Sequence, residues 1–312
     1  MKKILTIFGV LILCAVTVQF ASDHYRHDFY KWAIEFEASN AGLVAKAGSL
    51  ENQKFAYFET PRQEGQESII MLHGFGASKE NWLRFAAPLK GKYHIVALDL
   101  MGHGDNDRDL SRSYTIENQV EYVRQVAEKL SIKKFHLVGN SMGGAISSLY
   151  SAIYPNQVLS AVLISPAGVH DIPSRMDELL VDGVNPLIAT SHESFDELID
   201  FVMESRPYIP SAITKVEAEK AATRVQINEK IFSDIRVGLV EGMEESLRSI
   251  KAPVLIIWGD KDRAINVGNI DKYAQLIPNA SKLVLEDIGH MAMIEVPELS
   301  ANAMIEFMPK RT

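Results

Sequence analysis

The chain has 312 residues, 47% hydrophobic and 23% charged, an ordinary globular composition with enough apolar mass for one large or two smaller domains. Its net charge is −8 and its pI about 5.6, with no Lys/Arg-rich run, so nucleic acid has no electrostatic footprint here and is excluded as a partner. The single cysteine, Cys14, lies close to the N-terminus, which leaves the rest of the chain without disulfides or cysteine metal sites.

Behind Lys2 and Lys3, residues 4–20 are an unbroken run of apolar and weakly polar residues. Residues 1–21 therefore read as a membrane anchor or a signal segment, the apolar run being at the lower length limit of a spanning helix. Ala21 is small enough for cleavage, but Gln19 stands two residues before it, which favours an uncleaved anchor. A lipid-modified Cys14 would want a small residue before it, where the chain has Leu13. With Lys2 and Lys3 held in the cytoplasm, the remainder is expected outside it, either membrane-anchored or exported. Residues 22–40 carry Tyr25, Phe29, Tyr30, Trp32 and Phe36 at helical spacing. That spacing predicts an amphipathic helix whose aromatic face meets either a membrane surface or the protein core.

From about Gly42 the pattern is strand-rich, with an early hairpin reaching Tyr57 and Phe58. Residues 68–73 and 94–100 read as short buried strands. Ile116, Val120, Val123, Ala127 and Leu130 recur at helical spacing. Residues 134–140 and 160–165 are the next strands, with a helix between them that ends before Pro155. This alternation predicts the α/β class, with a mostly parallel sheet flanked by helices.

The alternation breaks across residues 169–250, which hold helix-like segments at 176–181, 195–204 and 216–240 and no strand pattern. A helical lid inserted between two core strands is expected there, with 22–168 and 251–312 forming the core. Its apolar residues, Phe195, Phe201, Met203 and Tyr208 among them, exceed what a connector needs. Most should pack the lid itself and a minority should face a pocket. Strands resume at 254–258 and 282–285, and a helix closes the chain around 298–307.

Gly139-Asn140-Ser141-Met142-Gly143 stands where an apolar strand gives way to a small-residue helix, the setting of a nucleophile elbow. Three other segments sit at strand ends in the matching order: His73-Gly74-Phe75-Gly76, Gly259-Asp260-Lys261-Asp262, and Gly289-His290. A neutral serine hydroxyl needs an adjacent base, and His290 is the candidate to take the proton of Ser141. A third group must hold that imidazole in the right tautomer. Asp262 is the candidate, with Asp260 and Asp171 as alternatives. The backbone amides of Phe75 and Met142 are the candidate oxyanion donors. His73, His103 and His136 read as structural, with His73 bracing the loop it begins. This chemistry needs neither cofactor nor metal, and the sequence offers no metal constellation or phosphate loop.

Taken together these residues resemble the α/β-hydrolase superfamily. The chain is most similar to the membrane-anchored monoacylglycerol lipases of that fold and to related bacterial lipases and esterases. The similarity runs from about Tyr57 to Phe307 and includes Met71-Leu72-His73-Gly74-Phe75, Ser165-Pro166-Ala167-Gly168 and Ile256-Ile257-Trp258-Gly259. It implies the α/β-hydrolase fold and a serine carboxylic-ester hydrolase, acting on monoacylglycerol or similar fatty-acyl esters through an acyl-enzyme on Ser141. The same elbow also resembles that of carbon–carbon bond hydrolases of aromatic ring-cleavage products. Those are typically soluble, so the apolar N-terminus argues against them. Dehalogenases and epoxide hydrolases of this fold carry an aspartate where Ser141 stands, which excludes them. A different class, a non-catalytic binding protein of the same fold, would keep the pocket and lose the chemistry.

Overall fold

Runs such as Ile69-Ile70-Met71-Leu72 and Val254-Leu255-Ile256-Ile257 are apolar at every position, which suits strands covered on both faces. The computed structural model describes residues 24–308 except 52, 240 and 241, so the expected anchor or signal segment lies outside the described residues. These runs lie in one eight-stranded sheet: β1 (Val44–Ser49), β2 (Lys54–Glu59), β3 (Ser68–Leu72), β4 (His94–Leu98), β5 (Phe135–Asn140), β6 (Val158–Ile164), β7 (Val254–Gly259) and β8 (Ala280–Leu285). The order is β1-β2-β4-β3-β5-β6-β7-β8, with β1–β2 and β2–β4 antiparallel and every other pair parallel. β3, β4, β5 and β7 are buried at every residue.

Alternate side chains serve opposite faces, as pleating requires. Ile70 and Leu72 join one core with Leu137, Ile256 and Trp258. Ile69 and Met71 join the other with Trp82, Phe85 and Met304. Helices α1 (Arg26–Asn40), α2 (Leu83–Ala86), α3 (Ile116–Lys129) and α4 (Met142–Ile153) precede β6. A helical insert separates β6 from β7: α5 (Arg175–Val181), α6 (His192–Val202), α7 (Ser211–Ala222), α8 (Val225–Leu239) and α9 (Met243–Arg248). Then α10 (Asn269–Leu276) precedes β8, and α11 (Ala292–Glu295) and α12 (Pro297–Phe307) follow it. Ser174 and Ser191 open α5 and α6 as capping boxes, each accepting from the amide three residues on.

The stretch read as one helix at 216–240 is two, meeting at Thr223 and Arg224. No Gly or Pro marks the break. The halves pack on different partners, α7 on α1 and α8 on α3, and tertiary contacts override local propensity.

The aromatic helix forms as expected, but its stripe does not enter the core. Tyr25, Phe29, Trp32 and Phe36 are 58%, 37%, 58% and 53% exposed, and the ring of Trp32 lies against those of Phe29 and Phe36 along the outer face. Tyr30 turns inward instead and accepts a hydrogen bond from Lys220 Nζ at 2.6 Å, while Arg26 pairs with Glu219 at 2.7 Å. No helix among the described residues is long and apolar enough to cross a membrane.

The loops after β3, β5, β7 and β8 carry His73–Gly76, Ser141, Asp262 and His290 respectively. In the sheet β3 lies between β4 and β5, so the chain leaves β3 on one side and returns on the other. The carboxyl ends at such a reversal form the crevice where open α/β sheets bind ligands.

Candidate active site

Ser141 sits at φ 55° and ψ −117°, a left-handed backbone that a serine adopts only when its surroundings force it. Its amide donates to Ile164 O and its carbonyl accepts from Ala145 and Ala167, each at 3.0 Å. These bonds pin the turn between β5 and α4. The helix that follows must press on β3: a Cβ on Gly143 would lie 2.2 Å from Leu72 O. Only glycine permits that approach. The loop after β3 then lies over the serine, and among the described residues neither Phe75 N–H nor Met142 N–H donates to a backbone carbonyl of a turn or loop. Two amides are thus left free of such bonds beside the N-terminal, positive end of α4.

His290 is 5% exposed, and its Nδ1–H donates to Asp262 Oδ2 at 2.7 Å. The Asp262 side chain is fully buried. Trp258 Nε1–H also donates to its Oδ2, at 2.9 Å, while Oδ1 accepts the amides of Ala264 and Ile265 at 2.8 and 2.9 Å. A carboxylate so saturated has one orientation, and it fixes the proton on Nδ1 and leaves Nε2 as the basic nitrogen. The approach of the two loops again depends on a glycine, since a Cβ on Gly259 would meet Ile288 O and Gly289 O at 2.2 Å. Asp260 pairs instead with Lys261, and Asp171 with Lys272. Neither reaches His290.

Ser141 and His290 both line a cavity of about 300 Å³, together with Gly74, Phe75 and residues of α1, α6 and α7. No hydrogen bond joins Ser141 to His290; contacts of this kind commonly tighten only when substrate is bound. Among the described residues no cluster of His, Cys, Asp or Glu is arranged to hold a metal.

The sequence profile of the alpha/beta hydrolase fold matches residues 67–297. The chain belongs to the α/β-hydrolase family. Lipase 1 of Psychrobacter immobilis is 33% identical over 273 residues, covering 86% of this hydrolase and 85% of that protein. Monoacylglycerol lipase ABHD6 of Homo sapiens is 32% identical over 283 residues, covering 86% and 82%. Among solved structures, a membrane phospholipase A described as a bacterial virulence factor superposes with a TM-score of 0.88 at 37% identity, covering 98% of both chains.

Several residues of this hydrolase's site have partners or a place in it that the sequence does not reveal. Glu295, 8% exposed on α11, accepts the amides of Gly289 and Met291, which flank His290, at 3.0 and 3.2 Å. The same carboxylate accepts Glu204 and Ser205 amides from the insert at 2.8 and 2.7 Å. Asn140 Nδ2 donates to His290 O and Ile164 O, both at 3.1 Å, and Arg224, Asn228 and Tyr30 line the cavity. A Glu five residues after Gly-His is visible in the sequence, but its partners are not.

His73, His103 and His136 are held in the framework. His136 Nδ1 meets Ser160 Oγ at 2.8 Å. Leu100 N–H donates to His73 Nε2 at 3.0 Å, so His73 Nδ1 carries the proton and donates to Gly74 O at 2.7 Å. Both nitrogens are used by the neutral ring. Burial, with the neighbouring His103 adding to it, holds His73 well below the usual histidine range; burial likewise pushes His103 down to about 4.

Replacing Glu295 by Gln puts an NH₂ group among amide donors and leaves one acceptor oxygen. Glu295→Gln is expected to lower the unfolding free energy by about 2 kcal/mol, read by urea denaturation, and to speed hydrogen exchange at Gly289 and Met291. The two buried histidines set an acid dependence. Their folded values lie below the unfolded value of about 6.5, so the unfolded chain takes up protons that the folded chain refuses. The resulting stability is complete above that value and is lost as pH falls through the folded value near 4 for His103. Melting temperature should fall across that window, and His103→Gln should flatten the slope.

Proposed function

We propose that this α/β hydrolase is a serine carboxylic-ester hydrolase, a lipase or esterase for monoacylglycerol or similar fatty-acyl esters. One observation carries the reading: the buried Asp262–His290 hydrogen bond opens on the cavity that Ser141 also lines. In this reading His290 Nε2 takes the Ser141 proton as Oγ attacks the ester carbonyl, and Asp262 stabilises the imidazolium. The tetrahedral oxyanion forms beneath the Phe75 and Met142 amides, where one such donor is worth roughly 3 kcal/mol. His290 returns its proton to the leaving alcohol, and the acyl-enzyme on Ser141 is hydrolysed by a water that His290 deprotonates. No cofactor enters.

The lipid side of the reading rests on the cavity wall and on the relatives. Phe195, Leu198, Ile199, Ile213 and Ile294 give the cavity an apolar lining suited to an acyl chain. The similar proteins named above are a lipase, a monoacylglycerol lipase and a phospholipase. Residues 169–250 act as the lid, since α6 and α7 supply one side of the cavity. The exposed Tyr25, Phe29, Trp32 and Phe36 follow directly on the apolar residues 4–20. We take the two as one membrane-attachment region, with the domain outside the cytoplasm.

Hydrolysis of nitrophenyl esters of two to sixteen carbons, beside monoacylglycerols, tests this. Turnover should peak at medium or long chains and fall by about 10⁴-fold or more in Ser141→Ala, with folding intact. A peak at two carbons would make it a small-ester esterase. No Ser141-dependent ester turnover at any length would sink the reading, and consumption of a vinylogous diketo acid would then establish carbon–carbon bond hydrolysis.

A further inference from the structure

Arg224 lies at the break between α7 and α8, lines the cavity that Ser141 and His290 share, and is 9% exposed. Its Nη2 donates to Gly104 O at 3.3 Å and its Nε has no partner. Every other charged residue in the cavity wall is matched by an opposite charge. Glu37 pairs with Arg84 at 2.8 Å, Glu80 with Lys79 at 3.1 Å, Glu217 with Lys220 at 3.0 Å, and Arg206 with Asp200 at 3.3 Å. Among the described residues Arg224 has no ion-pair partner. Asp105, a carboxylate that its charge reaches, is itself held by Lys79 at 2.6 Å.

A buried guanidinium without a counter-ion is costly in a folded protein and is relieved when an anion arrives. The surroundings sharpen this. Arg108, beside it, is another cation, and the charge on Arg224 helps to hold Arg108, His73 and His103 below their ordinary values, after burial. Asn228, one helical turn on and 5% exposed, also lines the cavity. Its Nδ2 lies 4.0 Å from where a Cβ on Gly76 would be, so this polar corner borders the loop that carries Phe75. The fork of an arginine matches two oxygens of one phosphate or carboxylate, and an amide NH₂ adds a third donor.

We infer that Arg224 and Asn228 form an anion subsite at the edge of the acyl cavity, which binds the phosphate of a phosphoglyceride-type ester. The subsite deepens the ester-hydrolase reading, because the anion is carried by the substrate beside its scissile ester. It selects phosphate-bearing acyl esters over neutral glycerides of equal chain length.

Two measurements test it. The first compares kcat/KM for a lysophosphatidic acid and for the monoacylglycerol of the same chain, in wild type, Arg224→Lys and Arg224→Met. The preference for the phosphate ester should fall at least tenfold in Arg224→Met and be partly kept in Arg224→Lys. An unchanged ratio in Arg224→Met overturns the subsite. The second needs no turnover: thermal shifts of the full chain with dodecyl phosphate, dodecanoate and dodecanol. Dodecyl phosphate should raise the melting temperature of wild type, and Arg224→Met should lose that shift while keeping the one from dodecanol. A shift from dodecanoate alone would assign the subsite to a released fatty-acid carboxylate and overturn the phosphate assignment. If the shifts hold and no ester is cleaved, the subsite stands and the ester-hydrolase reading falls.

Discussion

The carboxylate of Glu295 is the knot that ties this hydrolase together. Four backbone amides, two beside His290 and two from the insert, converge on it, and a fifth link, His290 N–H to Val202 O at 2.8 Å, runs alongside. Charge-assisted bonds to a buried carboxylate are among the stronger ones a protein makes. The imidazole and the cavity's helical side are therefore set by one group, and neither can shift without disturbing the other. Asn140 closes the same circuit from the nucleophile's side, since its amide holds His290 O next to the turn that strains Ser141. Strain at a serine persists only where its neighbours over-determine it, and here they do.

Two buried cations beside this centre show how differently a fold can treat charge. Lys79 is surrounded by Asp99, Asp105 and Glu80, and these carboxylates raise its affinity for a proton although burial opposes them. It is a structural ion, holding the loop after β3 to the end of β4. Arg224 has one carbonyl and an idle Nε. The contrast lies in partners, not in depth, and it separates a group that completes the framework from one whose coordination is open.

How much of this was legible in the sequence follows from the range of the interactions. Buried parallel strands are local runs, so β3, β5 and β7 announced themselves, and the motif residues at their ends were placed with them. The order of the motifs put Ser141, Asp262 and His290 at strand ends, and the backbone brings Asp262 to His290. The choice between Asp262 and Asp260 rested on loop depth alone; the saturation of Asp262 by Trp258, Ala264 and Ile265 is a tertiary fact. The division of 216–240 into two helices was not visible, because α1 and α3, far off in the chain, decide it. Glu295 and Arg224 were missed for the same reason: each is an ordinary charged residue until distant amides, or their lack, give it meaning. The aromatic stripe was legible as a helix face, but only packing shows that Tyr30 alone of its aromatics turns inward.

That inward turn changes what α1 is. Tyr30, Ala33, Ile34 and Glu37 are cavity wall, supplied by the helix that directly follows the apolar N-terminal run. The region that would tether the protein is thus also masonry of its binding chamber. A soluble form obtained by cutting back to Asn40 would keep all three motif residues and lose one side of the room they face. Trimming that stops before Tyr30 spares the wall, so shortened forms on either side of that point report on two different cavities.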